Sequence, residues 1–344
     1  KALLTLPEKW HGLQDLETCY RQRYLDLIVN PESRKRFKIR RDVIRHIRNY
    51  LEESDFIEVE TPILQAKPSG ALAKPFITHH NALDIDLYLR IAPETYLKRL
   101  IVGGYDRVYE FAKCFRNEGI SSSHLQEFMM LEYYAAYWNY VDNMNFTEAM
   151  VKTVLDKVLG SLSFEYMGNT IDFSGEWPRK SLQELILQDS GIDIYEITTK
   201  NELWAIIKEK GIVLDEANPE KLGWGNMVDA LYKKVCRPKI VSPLFLTSHP
   251  KELSPLARAN DDNSNITDRF QLVVAGLEIV NAYSELVDPI DQRERLMSQQ
   301  ALKDSGDEEA MEWDEDYVRC MEYGMPPISG WGMGIDRFVA LITN

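Results

Sequence analysis

The sequence predicts an α+β fold in which helices flank a mostly antiparallel sheet. Strand-like and helix-like stretches follow one another in irregular order, whereas a parallel sheet with crossover helices would require strict alternation. Two strand-like runs, 107–115 and 128–136, are separated by a polar loop, 117–126. A chain of 344 residues with 44% hydrophobic content is long enough for one large core or two smaller ones.

The composition excludes several classes of protein. A net charge of −14 argues against a protein that contacts nucleic acid over its whole surface, so any RNA contact must be local. The four cysteines lie far apart, which predicts neither a zinc site nor a disulfide framework and favours the reducing cytoplasm. No apolar run reaches the ~18 residues needed to cross a bilayer, so we expect no membrane partner.

The N-terminal elements are predicted from apolar spacing. Residues 1–30 carry aromatic residues among many charges and are predicted to form a strap or short helix on a larger body. Apolar residues at helical spacing predict an amphipathic helix over 32–53. The alternating run 56–62 ends in Pro62, which restricts it to a sheet edge or a strand end. A helix that leads into an edge strand suits a subunit interface.

The middle and C-terminal parts contain both element types. Residues 155–238 combine helical stretches with glycine and proline punctuation, and we interpret them as an inserted helical subdomain. Strand-like runs follow at 244–247 and 270–275, and then an acidic helix-prone segment at 290–323. The chain ends on alternating glycines and a short apolar helix.

Two arginines lie where a strand gives way to another element. Arg116 follows the strand 107–115, and Arg337 follows the glycine-rich stretch 330–336. A guanidinium group stays charged and pairs bidentately with phosphate or carboxylate, so this pair can clamp a polyphosphate. Two structural ion pairs would give the same local pattern, and both interpretations stay open on these residues alone.

The glycines Gly330, Gly332 and Gly334 alternate along the chain. In a strand, this spacing leaves one face without side chains, so that a flat ligand or another backbone can approach closely. A nucleotide base fits such a face. The spacing differs from that of a phosphate-cradling loop, which requires other glycine positions and a final lysine.

Several polar residues interrupt a segment that is otherwise built as a buried strand: Glu278, Asn281, Tyr283 and Glu285. Burying an unpaired carboxylate costs several kcal/mol at least, so a buried glutamate implies a cation close by. The cation can be a metal, an internal arginine or the ammonium group of a ligand. Glu94 lies at a predicted helix N-terminus, where a carboxylate also has an ordinary capping role.

Longer stretches of the sequence resemble the lysine-specific class II aminoacyl-tRNA synthetases. The three class II signatures occur in order: the first ends at Pro62, the second opens with 115–119, and the third is the glycine-rich strand with Asp336 and Arg337. Other resembling stretches are 8–13, 20–27, 75–84 and 88–94. The resemblance implies a ligase whose catalytic domain, 31–344, follows the strap. This domain would activate L-lysine with ATP and transfer it to the acceptor end of tRNA(Lys).

The resemblance also implies roles for the signature residues. The first signature would build a homodimer, and the other two would hold ATP in a bent form. The catalytic residue Arg116 would contact both the α-phosphate and the lysine carboxylate. The catalytic residue Arg337 would hold the γ-phosphate. Phe128 would stack on adenine, and Glu118 and His124 would fix the base and the triphosphate.

A second set of residues is implied to bind lysine. A buried carboxylate matched to an ammonium group rejects neutral analogues strongly, of order 10⁴-fold. Gly70 and Glu94 match the family's contacts to the α-amino group, Glu285 and Tyr134 those to the ε-ammonium, Asn281 and Tyr283 line the side-chain slot, and Glu132 is a nearby polar wall residue.

Three departures from the family pattern bear on ATP. Gln271 stands where the family offers a glutamate that shares Mg²⁺ with Glu278, and an amide oxygen binds a hard cation less strongly than a carboxylate does. The number of metal ions is therefore open. The loop 124–128 lacks the usual asparagine and proline after His124, and Ser69 replaces a glycine.

These departures keep two alternatives open. One is a paralogue that lysylates a protein such as elongation factor P, and the other is a regulatory protein that binds lysine and ATP without efficient catalysis. The family's N-terminal anticodon-binding barrel has no counterpart before Lys1. We therefore expect an isolated catalytic domain that forms the adenylate.

Overall fold

The computed structural model describes residues 2–6, 12–68, 70–71, 73–119, 125–197, 199–216, 218–304 and 311–343. Strands of these residues form one large sheet and two small ones. The strands are β1 (Ile57–Glu58), β2 (Leu64–Gln65), β3 (Phe76–His80), β4 (Ile85–Leu89), β5 (Arg107–Phe115), β6 (Glu127–Ala136), β7 (Ser163–Tyr166), β8 (Asn169–Asp172), β9 (Arg179–Ser181), β10 (Leu244–Pro250), β11 (Ile266–Val274), β12 (Leu277–Ser284) and β13 (Ile328–Gly334).

The large sheet has eight strands in the order β1-β5-β6-β13-β12-β11-β10-β9. Its outermost pairs, β1 with β5 and β9 with β10, are parallel. The five pairs between them are antiparallel. The predicted α+β class with a mostly antiparallel sheet is confirmed.

Helices pack around this sheet and at one end of it. Their order in the chain is irregular, as the sequence predicted. The helices are α1 (Leu16–Arg21), α2 (Arg23–Val29), α3 (Pro31–Glu52), α4 (Glu94–Val102), α5 (Tyr140–Leu159), α6 (Leu182–Ser190), α7 (Lys200–Glu209), α8 (Trp224–Val235), α9 (Pro289–Asp304), α10 (Glu315–Glu322) and α11 (Ile335–Thr343).

Helix α3 follows directly from its amphipathic pattern. Pro31 occupies the first turn, where its missing N–H costs nothing. Val43, Ile47 and Leu51 recur every four residues and are fully buried against the sheet. The observed bounds differ from the predicted 32–53 by a single residue at each end.

The main core lies between the large sheet and helices α3, α5 and α11. Trp331 of β13 stacks on Tyr133 of β6 with ring centroids 4.7 Å apart. Its indole N–H donates to Thr147 Oγ1 of α5 at 2.8 Å, so the buried ring leaves no polar atom unpaired. This packing joins the neighbouring strands β6 and β13, near the middle of the sheet, to α5.

A second core forms among α6, α7 and α8 and reaches β10. The proposed subdomain 155–238 contains these helices, and we retain it as a proposal. Its start at residue 155 would fall inside α5, whose buried residues belong to the main core. The hairpin β7–β8 and the strand β9 in this segment were not predicted.

Strand β1 lies at one edge of the large sheet among the described strands. The run 56–62 thus forms a much shorter strand than its alternation indicated, and Pro62 lies beyond the paired residues. Within the part of the chain that the structure describes, no helix combines the length and apolarity needed to cross a membrane.

Candidate functional site

A cavity of about 810 Å³ opens over the centre of the large sheet. Most of the residues that sequence reasoning selected line it. Two of them, Glu285 and Gln271, do not reach its surface, and His124 lies outside the described residues. The selected residues in the wall are Gly70, Glu94, Arg116, Glu118, Phe128, Glu132, Tyr134, Glu278, Asn281, Tyr283 and Arg337.

The strand register explains why residues far apart in sequence meet here. Residues in register on neighbouring strands point to the same face of a sheet. Gly330 of β13 lies opposite Tyr134 of β6 on one side and Tyr283 of β12 on the other. One step along, Gly332 lies between Glu132 and Asn281. The alternating glycines therefore form the floor of the cavity, and their neighbours form its walls.

Two glycines are required by close contacts. A Cβ at Gly330 would overlap Glu285 Oε1 and the ring of Tyr134, so a side chain at this position would displace both residues. Gly70 has a φ of 88°, a conformation that favours glycine, and a Cβ there would come within 2.9 Å of Glu94 Cβ. Because neither glycine has a side chain, Glu285 and Tyr134 can pack against Gly330 and Glu94 can pack against Gly70.

One end of the cavity is rich in carboxylates. Glu94 is the first residue of α4, and its side chain is buried. Its Oε1 accepts a hydrogen bond from Tyr283 Oη at 2.9 Å. Tyr134 Oη donates to Glu132 Oε2 at 3.3 Å. Burial, and next the charge of Glu94, raises the pKa of Glu132 to about 8.

Glu285 lies directly behind this end, and its side chain is fully buried. The cation that its burial implied is Lys98, whose Nζ is 2.5 Å from Glu285 Oε2 and 2.5 Å from Glu94 Oε1. Sequence reasoning had considered a metal, an arginine or a ligand and missed this lysine. The signal was available, because Glu94 and Lys98 are four residues apart on a predicted helix and such pairs share one face.

Two arginines line the rest of the cavity, Arg116 on the wall near Glu132 and Arg337 near Glu278. Arg116 follows β5, and its guanidinium carbon lies 5.1 Å from the centroid of the Phe128 ring. Its Nε is buried and has no hydrogen-bond partner among the described residues. Arg337 of α11 donates from Nη1 to the backbone oxygen of Glu278 at 2.7 Å. The positive charge of these two guanidinium groups is therefore available to an anionic ligand.

Asp336, next to Arg337, forms a structural ion pair with Arg40 of α3. Arg40 Nη2 lies 3.2 Å from Asp336 Oδ1, and the backbone N–H of Met129 donates to Asp336 Oδ2 at 2.7 Å. Asp336 thus ties α11 to β6 and α3. Arg337, the next residue, remains directed toward Glu278 and the cavity.

Gln271 and Glu278 face each other on the hairpin β11–β12. Gln271 Nε2 donates to Glu278 Oε2 at 2.6 Å. Within the described part of the chain, no group of three or more histidine, cysteine, aspartate and glutamate residues is placed to hold a metal. The pair fits one hard cation held by Glu278 together with ligand oxygens. A second ion shared by both side chains would have to replace this hydrogen bond.

Arg269 of β11 is a further residue that sequence reasoning missed. It lines the cavity, and its Nε donates to Asn281 Oδ1 at 2.8 Å. Its Nη1 is held by the backbone oxygen of Leu253 at 2.9 Å and by Ser254 Oγ at 3.0 Å. Arg269 therefore fixes the orientation of the Asn281 amide in the wall. No local pattern marks it, because its neighbours come from a distant loop.

Comparison with known proteins agrees with this geometry. The sequence matches the family of class II tRNA synthetases for D, K and N over residues 15–344. A lysine–tRNA ligase of Pelotomaculum thermopropionicum is 50% identical over 344 residues, which cover 100% of this chain and 68% of that protein. A lysine–tRNA ligase of Carboxydothermus hydrogenoformans is 48% identical, with 100% and 70% covered. One of Chromohalobacter salexigens is 50% identical, with 100% and 68% covered. The chain therefore belongs to the class II tRNA synthetases of the D, K and N group.

Proposed function

We propose that this protein activates L-lysine with ATP and transfers it to tRNA(Lys). The observation that carries the proposal is the polarity of the cavity. Buried carboxylates gather at one end, and from there Arg116 and then Arg337, neither of which forms an ion pair with a described residue, follow toward the other end over a single sheet face. An amino acid with two ammonium groups fits the first end, and a polyphosphate fits the second.

Arg116 lies on the wall between these two ends. In the first step, an oxygen of the lysine carboxylate attacks the α-phosphorus of ATP, the bond to the β-phosphate breaks, and pyrophosphate leaves. Arg116 neutralises the carboxylate and the α-phosphate as they approach each other. Its buried, unpaired Nε supports this role, since such a group lacks compensation until a ligand supplies it.

The nucleotide is proposed to lie along the glycine floor. Phe128 supplies the ring face for adenine, with Glu118 beside it, and Arg337 holds the γ-phosphate. Mg²⁺ bound with ATP adds charge neutralisation at the phosphates, and Glu278 is the residue that would hold it. In the second step, a hydroxyl of the terminal tRNA ribose attacks the carbonyl carbon of the adenylate, and AMP leaves.

Lysine is proposed to enter the other end with its α-amino group toward Gly70 and Glu94. Asn281, held by Arg269, and Tyr283 line its aliphatic chain. The ε-ammonium reaches Tyr134 and the carboxylate of Glu285. Because Glu285 lies behind the wall in the empty protein, this contact requires a small shift of the residues around Gly330.

A homodimer is part of the proposal. Edge strand β1 and the small sheet β2-β4-β3 carry several large apolar side chains on the surface: Ile57, Ile63, Leu64, Ile77, Leu83 and Ile85, each at least 43% exposed. Such a patch beside a sheet edge favours a protein partner, and a second copy is the commonest one. Sedimentation of the wild type and of Ile77→Glu tests it, and a monomeric wild type would contradict it.

The cytoplasm is the proposed location. The four cysteines are free thiols, as expected in a reducing compartment.

The test of the proposed function is ATP–pyrophosphate exchange with a panel of amino acids, followed by charging of tRNA(Lys). Exchange with lysine alone is the expected result. Preference for β-lysine would instead support a protein-modifying paralogue. No exchange with any amino acid, together with measurable lysine binding, would support a regulatory protein, which the hydrogen bond between Gln271 and Glu278 favours.

A further inference from the structure

We infer that Lys98 is a positioning residue that determines specificity for lysine. Its ammonium group keeps the Glu285 carboxylate ionised and oriented, so that Oε1 of this carboxylate can accept a hydrogen bond from the ε-ammonium of the substrate. This inference rests on the proposed function and adds to it a residue that never touches the substrate. The resemblance assigned no role to this lysine.

The surroundings of Lys98 are built for a cation. The side chain is fully buried, and its Nζ bridges Glu94 and Glu285 at 2.5 Å each. Aromatic rings surround the same atom, with centroids 5.7, 5.8 and 5.9 Å from it, and they belong to Tyr134, Tyr283 and Tyr317. Ring faces attract cations, and this attraction is stronger where water is excluded.

The two oxygens of Glu285 are not equivalent. Both oxygens are buried and neither accepts a hydrogen bond of good geometry from a described residue, but only Oε2 has the Lys98 ammonium beside it, at 2.5 Å. Oε1 rests against Gly330 and the ring of Tyr134, and both of these line the cavity. A buried carboxylate oxygen without a hydrogen-bond donor destabilises the protein, so a ligand that brings a donor to Oε1 is bound more tightly. Lysine, which brings an ammonium group to this end, supplies it.

The charges near Lys98 support the same conclusion. Glu132 has a pKa of about 8 and is mostly protonated at neutral pH, so the two carboxylates Glu94 and Glu285 are balanced by the two cations Lys98 and Arg116. Without Lys98 one negative charge is left unbalanced in a buried site, and the carboxylates take up protons instead.

The pKa shifts agree with this account. Burial alone would lower the pKa of Lys98, but the charges of Glu285 and Glu94 outweigh it and raise the pKa well above its ordinary value. Lys98 therefore stays charged throughout the working range. Burial raises the pKa of Glu285 well above its ordinary value, and the Lys98 ammonium group limits that rise. Tyr134, Tyr283 and Tyr317 face the same group, and burial raises the pKa of each of them above 10, so they stay neutral.

The test compares lysine with norleucine, which has no ammonium group, in ATP–pyrophosphate exchange between pH 6 and 9. Lys98→Met should lower the ratio of kcat/KM for lysine to that for norleucine by ~100-fold near pH 7, because loss of the ammonium group raises the pKa of Glu285 further, and each unit by which that pKa exceeds the pH lowers the ionised fraction about tenfold. The ratio should recover as the pH rises. The double variant Lys98→Met/Glu285→Gln should match Glu285→Gln alone, because Lys98 acts through that carboxylate.

A matched control lies in α5. Lys152 pairs with Glu148 at 2.5 Å, also four residues apart, and lies 5.7 Å from the ring of Trp177, away from the cavity. Lys152→Met should leave the lysine to norleucine ratio unchanged. A Lys98→Met enzyme that keeps the wild-type ratio, or that loses both substrates equally at every pH, would overturn the inference.

A second measurement keeps the test decisive if Lys98→Met does not fold. The variant Glu132→Gln removes the titration of the neighbouring carboxyl group. With Lys98 in place, the lysine to norleucine ratio of this variant should stay constant from pH 6 to 9. A tenfold rise of that ratio over the same range would overturn the inference. Failure of the proposed function looks different, since the wild type would then show no preference for lysine.

Discussion

The two ends of the cavity differ in how their charges are matched. At the carboxylate end, Glu94 and Glu285 are already paired with Lys98 inside the protein. Toward the other end, neither Arg116, on the wall between the two ends, nor Arg337 forms an ion pair with a described residue, and the Arg116 guanidinium lies over the ring of Phe128. The amino-acid end is thus organised before its ligand arrives, whereas the nucleotide end relies on the ligand for its counter-charge. We expect substitutions at the first end to alter selectivity and those at the second to alter rate.

The largest expected effect is that of Glu285→Gln on selectivity. An amide accepts a hydrogen bond from an ammonium group but carries no charge, so lysine loses its advantage over norleucine, by of order 10³-fold to 10⁴-fold in the ratio of kcat/KM. ATP–pyrophosphate exchange with both substrates measures it. Glu148→Gln, which breaks the corresponding pair in α5, is the control and should change nothing. Unchanged selectivity in Glu285→Gln would refute the assigned contact.

Arg116→Gln should have the next largest effect, and on rate. Removing a group that stabilises developing charge typically costs 10²-fold to 10³-fold in kcat. Exchange at saturating lysine and ATP measures the loss, while the lysine to norleucine ratio should stay near that of the wild type. Arg293→Gln, which removes a surface arginine paired with Glu315 and Glu322, provides the control. A full rate in Arg116→Gln would contradict its place between the two ligands.

The comparison also explains what sequence could and could not reveal. Strand β5 and helix α3 were predicted within one residue at each end, because hydrophobic spacing is a local property. The nucleotide end was predicted from signatures that lie within short segments. The link between Lys98 and Glu285 joins residues 187 positions apart and depends on how α4 docks on the sheet. No periodicity encodes that contact, although the burial of Glu285 correctly demanded a cation.

The smaller elements show the same limit. The hairpin β7–β8 was missed because its strands have four residues each, too few for alternation to stand out. Arg269 was missed because its partners come from β12 and from the loop at Leu253. Local pattern thus defines the elements, while the polar contacts between them require the register.

Gln271→Glu should have a moderate effect at the nucleotide end. A second carboxylate beside Glu278 repels it, and a hard cation relieves that repulsion, so the variant should need less Mg²⁺ for half-maximal exchange, by roughly tenfold. Titration of Mg²⁺ at fixed ATP measures the change. Gln271→Met removes the hydrogen bond without adding charge and serves as the control. Equal Mg²⁺ dependence in all three proteins would contradict the single-carboxylate site.

Glu132 should have the smallest effect, which is on stability rather than on catalysis. The pKa of this carboxyl group is about 8 in the folded protein, above its ordinary value of 4.5, because the group is buried. Between these two values the folded state holds a proton that the unfolded state has lost, so this group makes the protein less stable as the pH rises. The glutamine in Glu132→Gln stays neutral at every pH. The melting temperature of this variant minus that of the wild type should therefore be a few degrees larger at pH 8 than at pH 5. Glu127→Gln, on the same strand but exposed and paired with Lys113, should show no such pH-dependent gain. A melting difference that does not change with pH would mean that Glu132 is already ionised at neutral pH, and the carboxylate end would then carry its full negative charge before lysine binds.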